Sequence, residues 1–100
     1  MVYALKVHRD VEKQLQRVPK KQRERLVNTM RSLRDQPRPP SFEKLEDVLY
    51  RVRVGEYRII YAVFDEEVVI VVCKVARRTE ATYRDLQGLV RRANKVLAEE

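Results

Sequence analysis

The sequence is poor in several residue types, and each shortage excludes something. Among its 100 residues there are one cysteine, one histidine, two glycines and no tryptophan. A lone Cys73 cannot form an internal disulfide, so nothing indicates an oxidising compartment. A nuclease built on histidines needs two within reach of one phosphate, and only His8 is present. Two isolated glycines, Gly55 and Gly88, cannot build a glycine-rich phosphate loop. No apolar run approaches the ~20 residues of a membrane span, and the opening MVYALKVHRD is too short in apolar residues for a signal peptide. The expected location is the cytoplasm. Asp65, Glu66 and Glu67 are adjacent in a turn-like stretch, which fits a solvated hairpin bend better than a metal site. Neither a metal nor another cofactor is expected.

What is present is charge and apolar periodicity. Lysine and arginine number 22 against 15 acidic residues, a formal charge of +7. Such a balance points to polyanionic partners rather than to any particular fold. Apolar residues make up 44% of the chain, and the length fits one compact domain over residues 1–100.

Residues 2–7 alternate, with Tyr3, Leu5 and Val7 on one side and Lys6 and His8 on the other, which predicts a half-buried strand. Asp10 is placed to cap a helix carrying Val11, Leu15 and Val18, and Pro19 ends it or begins the next. Leu26, Val27, Met30 and Leu33 form the apolar stripe of a longer helix from Lys20 to about Gln36. Pro37, Pro39 and Pro40 close that helix and predict an irregular loop through PRPPSFEKLED. Residues 48–54, 57–64 and 68–75 are rich in β-branched and aromatic side chains and predict an antiparallel meander. Helical spacing returns with Leu86, Leu89, Val90, Ala93, Val96 and Leu97. The expected class is α+β, in the order β-α-α-β-β-β-α: a small antiparallel sheet with two N-terminal helices on one face. A C-terminal helix over residues 84–100 follows, and the second sheet face is expected to be free.

The stretch LYRVRVGEYRIIY places three arginines around one glycine. A two-residue Gly55-Glu56 turn sets Val54 opposite Tyr57, Arg53 opposite Arg58 and Arg51 opposite Ile60. Alternation then puts Val48, Tyr50, Val52, Val54, Tyr57, Ile59, Tyr61 and Val63 on the core side and Arg51, Arg53 and Arg58 together on the other. Like charges directly opposed destabilise a sheet. A bound anion removes that cost, because guanidinium groups match phosphate oxygens with fork-shaped donors. The alternative for these side chains is to splay into water or to pair with Glu46 and Asp47. Further along, KVARRTEATYRD adds Lys74, Arg77, Arg78, Tyr83 and Arg84 to the face or its rim. An aromatic ring beside guanidiniums suits base stacking as well as phosphate binding, although Tyr83 equally fits packing on the sheet.

The succession KLED-VLYRVRVGEYRIIYAVFDEEVVIVVCKVARR and then TEATYR resembles the RelE/ParE superfamily of bacterial and archaeal toxins, in particular its RelE branch, along the whole chain. The most specific part is the Tyr-Arg-x-Arg-x-Gly-x-Tyr-Arg-x-x-Tyr block. The resemblance implies a toxin that enters the ribosomal A site and cleaves mRNA without a metal. The 2′-hydroxyl attacks the adjacent phosphate, leaving a cyclic phosphate and a free 5′-hydroxyl. It also implies a cognate antitoxin wrapped around the toxin in a hetero-oligomer, with ribosome and mRNA as the other partners. The family's basic pair falls on Arg51 and Arg53, its next-strand arginine on Arg58, its later arginine on Arg78 with Arg77 beside it, and its tyrosine on Tyr83. Lys74, Arg77 and Arg84 are the accompanying RNA-binding candidates. The superfamily's other branch implies a ParE-like inhibitor of DNA gyrase. A non-catalytic module that binds RNA or an antitoxin is a third reading.

Two departures stand out. Relatives often carry lysine where this chain has Arg51 and Arg53. Lysine can be tuned into a base, whereas arginine stays protonated, so these two suit charge stabilisation and leave the proton acceptor unassigned. Many relatives also stop soon after the tyrosine-arginine pair, whereas LQGLVRRANKVLAEE continues here. That helix is expected to cover an apolar groove that an antitoxin helix would otherwise fill, and to shield the arginine face.

Overall fold

The computed structural model describes residues 2–77 and 85–99. Strand β1 (Ala4–Val7) is followed by helices α1 (Arg9–Gln16) and α2 (Lys20–Ser32), strands β2 (Phe42–Glu46), β3 (Leu49–Val54), β4 (Tyr57–Phe64) and β5 (Val69–Arg77), and helix α3 (Leu86–Ala98). The sheet order is β1-β5-β4-β3-β2, with β1 parallel to β5 and the other neighbours antiparallel. The α+β class and the meander are as the sequence predicts, with one strand more than expected. β2 lies inside the segment expected to be an irregular loop. Its prolines all precede it, so each of its residues keeps an amide proton for pairing with β3, and a bulge between Lys44 and Glu46 absorbs the irregularity. Among the described residues no helix is long and apolar enough to cross a membrane.

α1 begins two residues earlier than Asp10 as cap would imply. His8 takes the cap position, in extended backbone, and its Nδ1 accepts from the Asp10 amide at 3.0 Å. Burial first, and Arg92 second, hold the imidazole below its ordinary pKa, which keeps Nδ1 available as an acceptor. Pro19 caps α2, as its fixed φ suits a position whose own N–H would go unused. Val11, Val18, Leu26, Met30 and Leu33 then pack on Tyr50, Val52, Tyr57, Ile59, Tyr61 and Val72, the core face read from the alternation, except that Val48, which precedes β3, packs against the opposite cluster.

The second sheet face is not free. Leu89, Ala93 and Val96 of α3 join Leu49, Ile60, Ala62, Phe64, Val71 and Cys73 in a second buried cluster. Asp85 caps α3 by accepting from the Gly88 amide at 2.9 Å. Polar contacts fasten the helix further: Arg92 donates to Asp10 Oδ2 at 3.0 Å and to the Cys73 carbonyl at 3.1 Å, and Lys6 Nζ donates to the Glu99 carbonyl at 2.7 Å. Cys73 is an extra residue on β5, because Ile60 pairs with Lys74 while Tyr61 pairs with Val72. Burial pushes its thiol up to about 12, so it packs as a small core side chain.

Candidate functional site

The β3–β4 hairpin has the register that its glycine dictates. Gly55 sits at φ +60, a conformation that other residues enter at a cost of about 1–2 kcal/mol. The Arg25 guanidinium also lies 3.2 Å from where a Cβ on Gly55 would stand. Val54 therefore pairs with Tyr57, Arg53 with Arg58 and Arg51 with Ile60. Tyr57, Val54 and Val52 are buried on the α1/α2 side, so Arg51, Arg53 and Arg58 share the α3 side. Opposed Cβ atoms stand about 5 Å apart, and the rungs of one face repeat about every 7 Å along a strand. One phosphate group is on the scale of that triangle. Arg53 is exposed, whereas Arg51 and Arg58 are half-buried.

β2 completes the rung. Glu43 pairs with Arg51, Arg51 with Ile60, and Ile60 with Lys74, so these four residues cross the sheet on one face. The Glu43 carboxylate forms an ion pair with the Arg51 guanidinium. The carboxylate beside the arginines is thus Glu43 rather than Glu46 or Asp47, which line a groove with Gln87, Val90 and Arg91 of α3. Sequence reading missed Glu43 because it missed the strand that carries it.

The β5 bulge divides the later basic residues. With Cys73 extruded from the ladder, Lys74 joins the arginine rung, while Arg77 pairs with Tyr57 and so belongs to the opposite face. There Arg77 and Arg17 line a cleft of about 240 Å³ with Gln14, Tyr57 and Val75. The expectation that Arg77 adds to the arginine face is thereby corrected to the far side of the same sheet end. Arg78, Tyr83 and Arg84 lie outside the described residues.

A polar clamp holds the loop that leads into β2. Arg38 donates to Asp65 Oδ2 at 2.8 Å and to the Tyr50 hydroxyl at 3.2 Å, with its Cζ 5.0 Å from the centre of the Tyr50 ring. Tyr3 donates to Asp65 Oδ1 at 2.7 Å, and Tyr61 donates to the Pro37 carbonyl at 2.6 Å. Arg38 first, then Tyr3, hold the Asp65 carboxyl below the usual range. Burial pushes the Tyr61 phenol up, so it stays a donor. Lys44 leans over the Tyr50 ring at 6.0 Å, on the side of the sheet away from Glu43.

Guanidiniums gathered in this way have the donor geometry that matches the oxygens of a phosphate group. This is the arrangement found on a chain whose residues 4–82 match the family described as ParE toxin of type II toxin–antitoxin systems, parDE. The chain belongs to the RelE/ParE toxin superfamily, on its RelE-like side. It is 36% identical to the toxin in the archaeal RelE–RelB complex of Pyrococcus horikoshii, covering 81% of this chain and 100% of that one, with a TM-score of 0.74. The RelE1 toxin candidate of Methanocaldococcus jannaschii is 29% identical over 90 residues, which is 85% of this chain and 99% of that protein. A chain in the intact RelBE toxin–antitoxin complex of E. coli is 26% identical, covering 75% of this chain and 95% of that one, with a TM-score of 0.66. This RelE-type toxin therefore presents an arginine surface on the α3 side of its sheet. Among its described residues there is no group of acidic, histidine or cysteine side chains able to hold a metal ion.

Proposed function

We propose that this RelE-type toxin stops translation by cutting ribosome-bound mRNA, with a phosphate held by Arg51, Arg53 and Arg58. The observation that carries the reading is the directly opposed Arg53 and Arg58 with Arg51 one rung away. Folding gains nothing from opposed like charges, and a phosphorane dianion does. Attack by the 2′-oxygen builds negative charge on the equatorial oxygens, and fixed guanidiniums stabilise that charge more than they stabilise the substrate. Lys74 and Arg84 bind flanking phosphates, with Arg77 acting from the other side of the sheet end. Arg78 and Tyr83 complete the reacting centre by resemblance to relatives. The partner is a cognate antitoxin, as in the RelE–RelB and RelBE complexes. Its helix competes for the apolar sheet face on which α3 lies, so removal of residues 85–100 should alter antitoxin affinity.

The test is induction of the toxin, mapping of mRNA 5′ ends by primer extension, and a gyrase supercoiling assay in parallel. Codon-phased cuts that weaken at least about 10²-fold in Arg58→Ala, the loss typical of one transition-state donor, are expected. Intact mRNA with blocked supercoiling would overturn the reading in favour of the gyrase inhibitor, which the ParE description of the matching family keeps in view.

A further inference from the structure

The arginine substitutions leave a metal-free cleavage without a proton acceptor, and β2 brings one to the site. We propose that Glu43 is the general base that takes the 2′-hydroxyl proton. The inference rests on the nuclease reading above.

Three features of the rung carry it. Glu43 is directly opposite Arg51 on the ladder, and their side chains are in contact. The two partners differ in access: the Arg51 side chain is 13% exposed and that of Glu43 58%. The guanidinium is thus set into the sheet while the carboxylate remains open to a ligand. A guanidinium also presents five N–H donors in a fork, a number that allows one cation to orient a carboxylate and contact a phosphate oxygen together. Base and scissile group then sit side by side on one cation, which is the placement that proton abstraction beside a phosphate requires.

Other acceptors fit less well. Lys44, the neighbouring residue of β2, leans over the Tyr50 ring on the other face. Lys74 lies on the same rung, but Ile60 separates it from Arg51, about 10 Å away across two strand spacings. Glu46 and Asp47 face α3 across the groove that they share with Arg91.

In the step itself the 2′-O–H bond breaks and its proton passes to a Glu43 carboxylate oxygen. The 2′-oxygen forms a bond to phosphorus, and the P–O5′ bond breaks with its electron pair on the 5′-oxygen. That oxygen takes a proton from solvent water. The products are a 2′,3′-cyclic phosphate and a 5′-hydroxyl, and the charge on the pentacoordinate phosphorus faces Arg51, Arg53 and Arg58.

The experiment is single-turnover cleavage of ribosome-bound mRNA by the purified toxin across a range of pH, with ribosome binding and thermal melting recorded for each variant. Glu43→Gln is expected to cut at least about 10²-fold more slowly at neutral pH, within the span general bases contribute. Its binding and melting should stay near those of the parent, and the fall in rate at acid pH should disappear. Glu43→Asp, which keeps the carboxylate but shortens its reach, should retain that fall at an intermediate rate. If Glu43 only neutralises Arg51, Glu43→Gln will bind more tightly and cut as fast as the parent, which overturns the proposal. A Lys74→Met variant that alone loses the acid fall also overturns it. A parent that cuts no mRNA removes the nuclease reading itself, whereas a parent and Glu43→Gln that cut equally well remove only the base.

Discussion

At the scale of single residues, backbone conformation and side-chain charge give separate tests. Val68 holds φ at +56 in the β4–β5 turn, a region in which a β-branched side chain is strained. Asparagine tolerates that conformation, so Val68→Asn should stabilise the protein by about 1 kcal/mol, read as a raised midpoint in urea unfolding. Asp65 tests the loop clamp. Its folded carboxyl is more acidic than in the unfolded chain, through Arg38 first and Tyr3 second. A depressed carboxyl stabilises the fold above the ordinary aspartate value, and the contribution fades as pH falls through the folded value. The melting temperatures of the parent and Asp65→Asn should therefore differ at neutral pH and converge as the solution is acidified below the usual carboxylate range. The arginine face was legible at this scale because Gly55 fixes the hairpin and a period of two does the rest. Glu43 was not, because nothing in FEKLE alternates strongly enough to announce a strand.

At the scale of elements, α3 does more than extend the chain past the site. Its Ala93 has no exposed surface and lies in the cluster with Ile60, Val71 and Cys73. A charge there has no partner, so Ala93→Asp should cost about 3 kcal/mol or more and release the helix from the sheet. Hydrogen exchange over residues 86–98 should accelerate while β3 and β4 stay protected. The helix itself was legible from its 3.6-residue period. Its docking on the sheet face expected to be free was not, since periodicity says which side of a helix is apolar but not what it meets. The β5 bulge belongs to the same class of hidden information. The run VIVVCKVAR is apolar apart from Lys74 and Arg77, so no alternating pattern marks the residue at which the ladder slips. That slip decides whether Lys74 or Arg77 stands beside the arginines.

Over the whole molecule, a formal charge of +7 favours polyanionic partners, and the number of phosphates contacted sets how binding responds to salt. If Arg51, Arg53 and Arg58 each neutralise a phosphate of single-stranded RNA, the logarithm of affinity should fall with the logarithm of salt at a slope near −2, about −0.7 for each contact. Arg53→Ala should lower that slope by about 0.7, measured by fluorescence anisotropy with a short RNA. A variant with an unchanged slope would place Arg53 off the phosphate path.

The parallel pairing of β1 with β5 joins Ala4–Val7 to Val69–Val72, strands at opposite ends of the chain order, and Lys6 further ties the first strand to the last helix. During synthesis, at about 5–20 residues per second, β1 waits several seconds for its neighbour to emerge. Until then the hairpin bearing the arginines has only part of the sheet behind it. Strand order alone thus makes closure of the sheet a late step, one that waits for the last strand to be made.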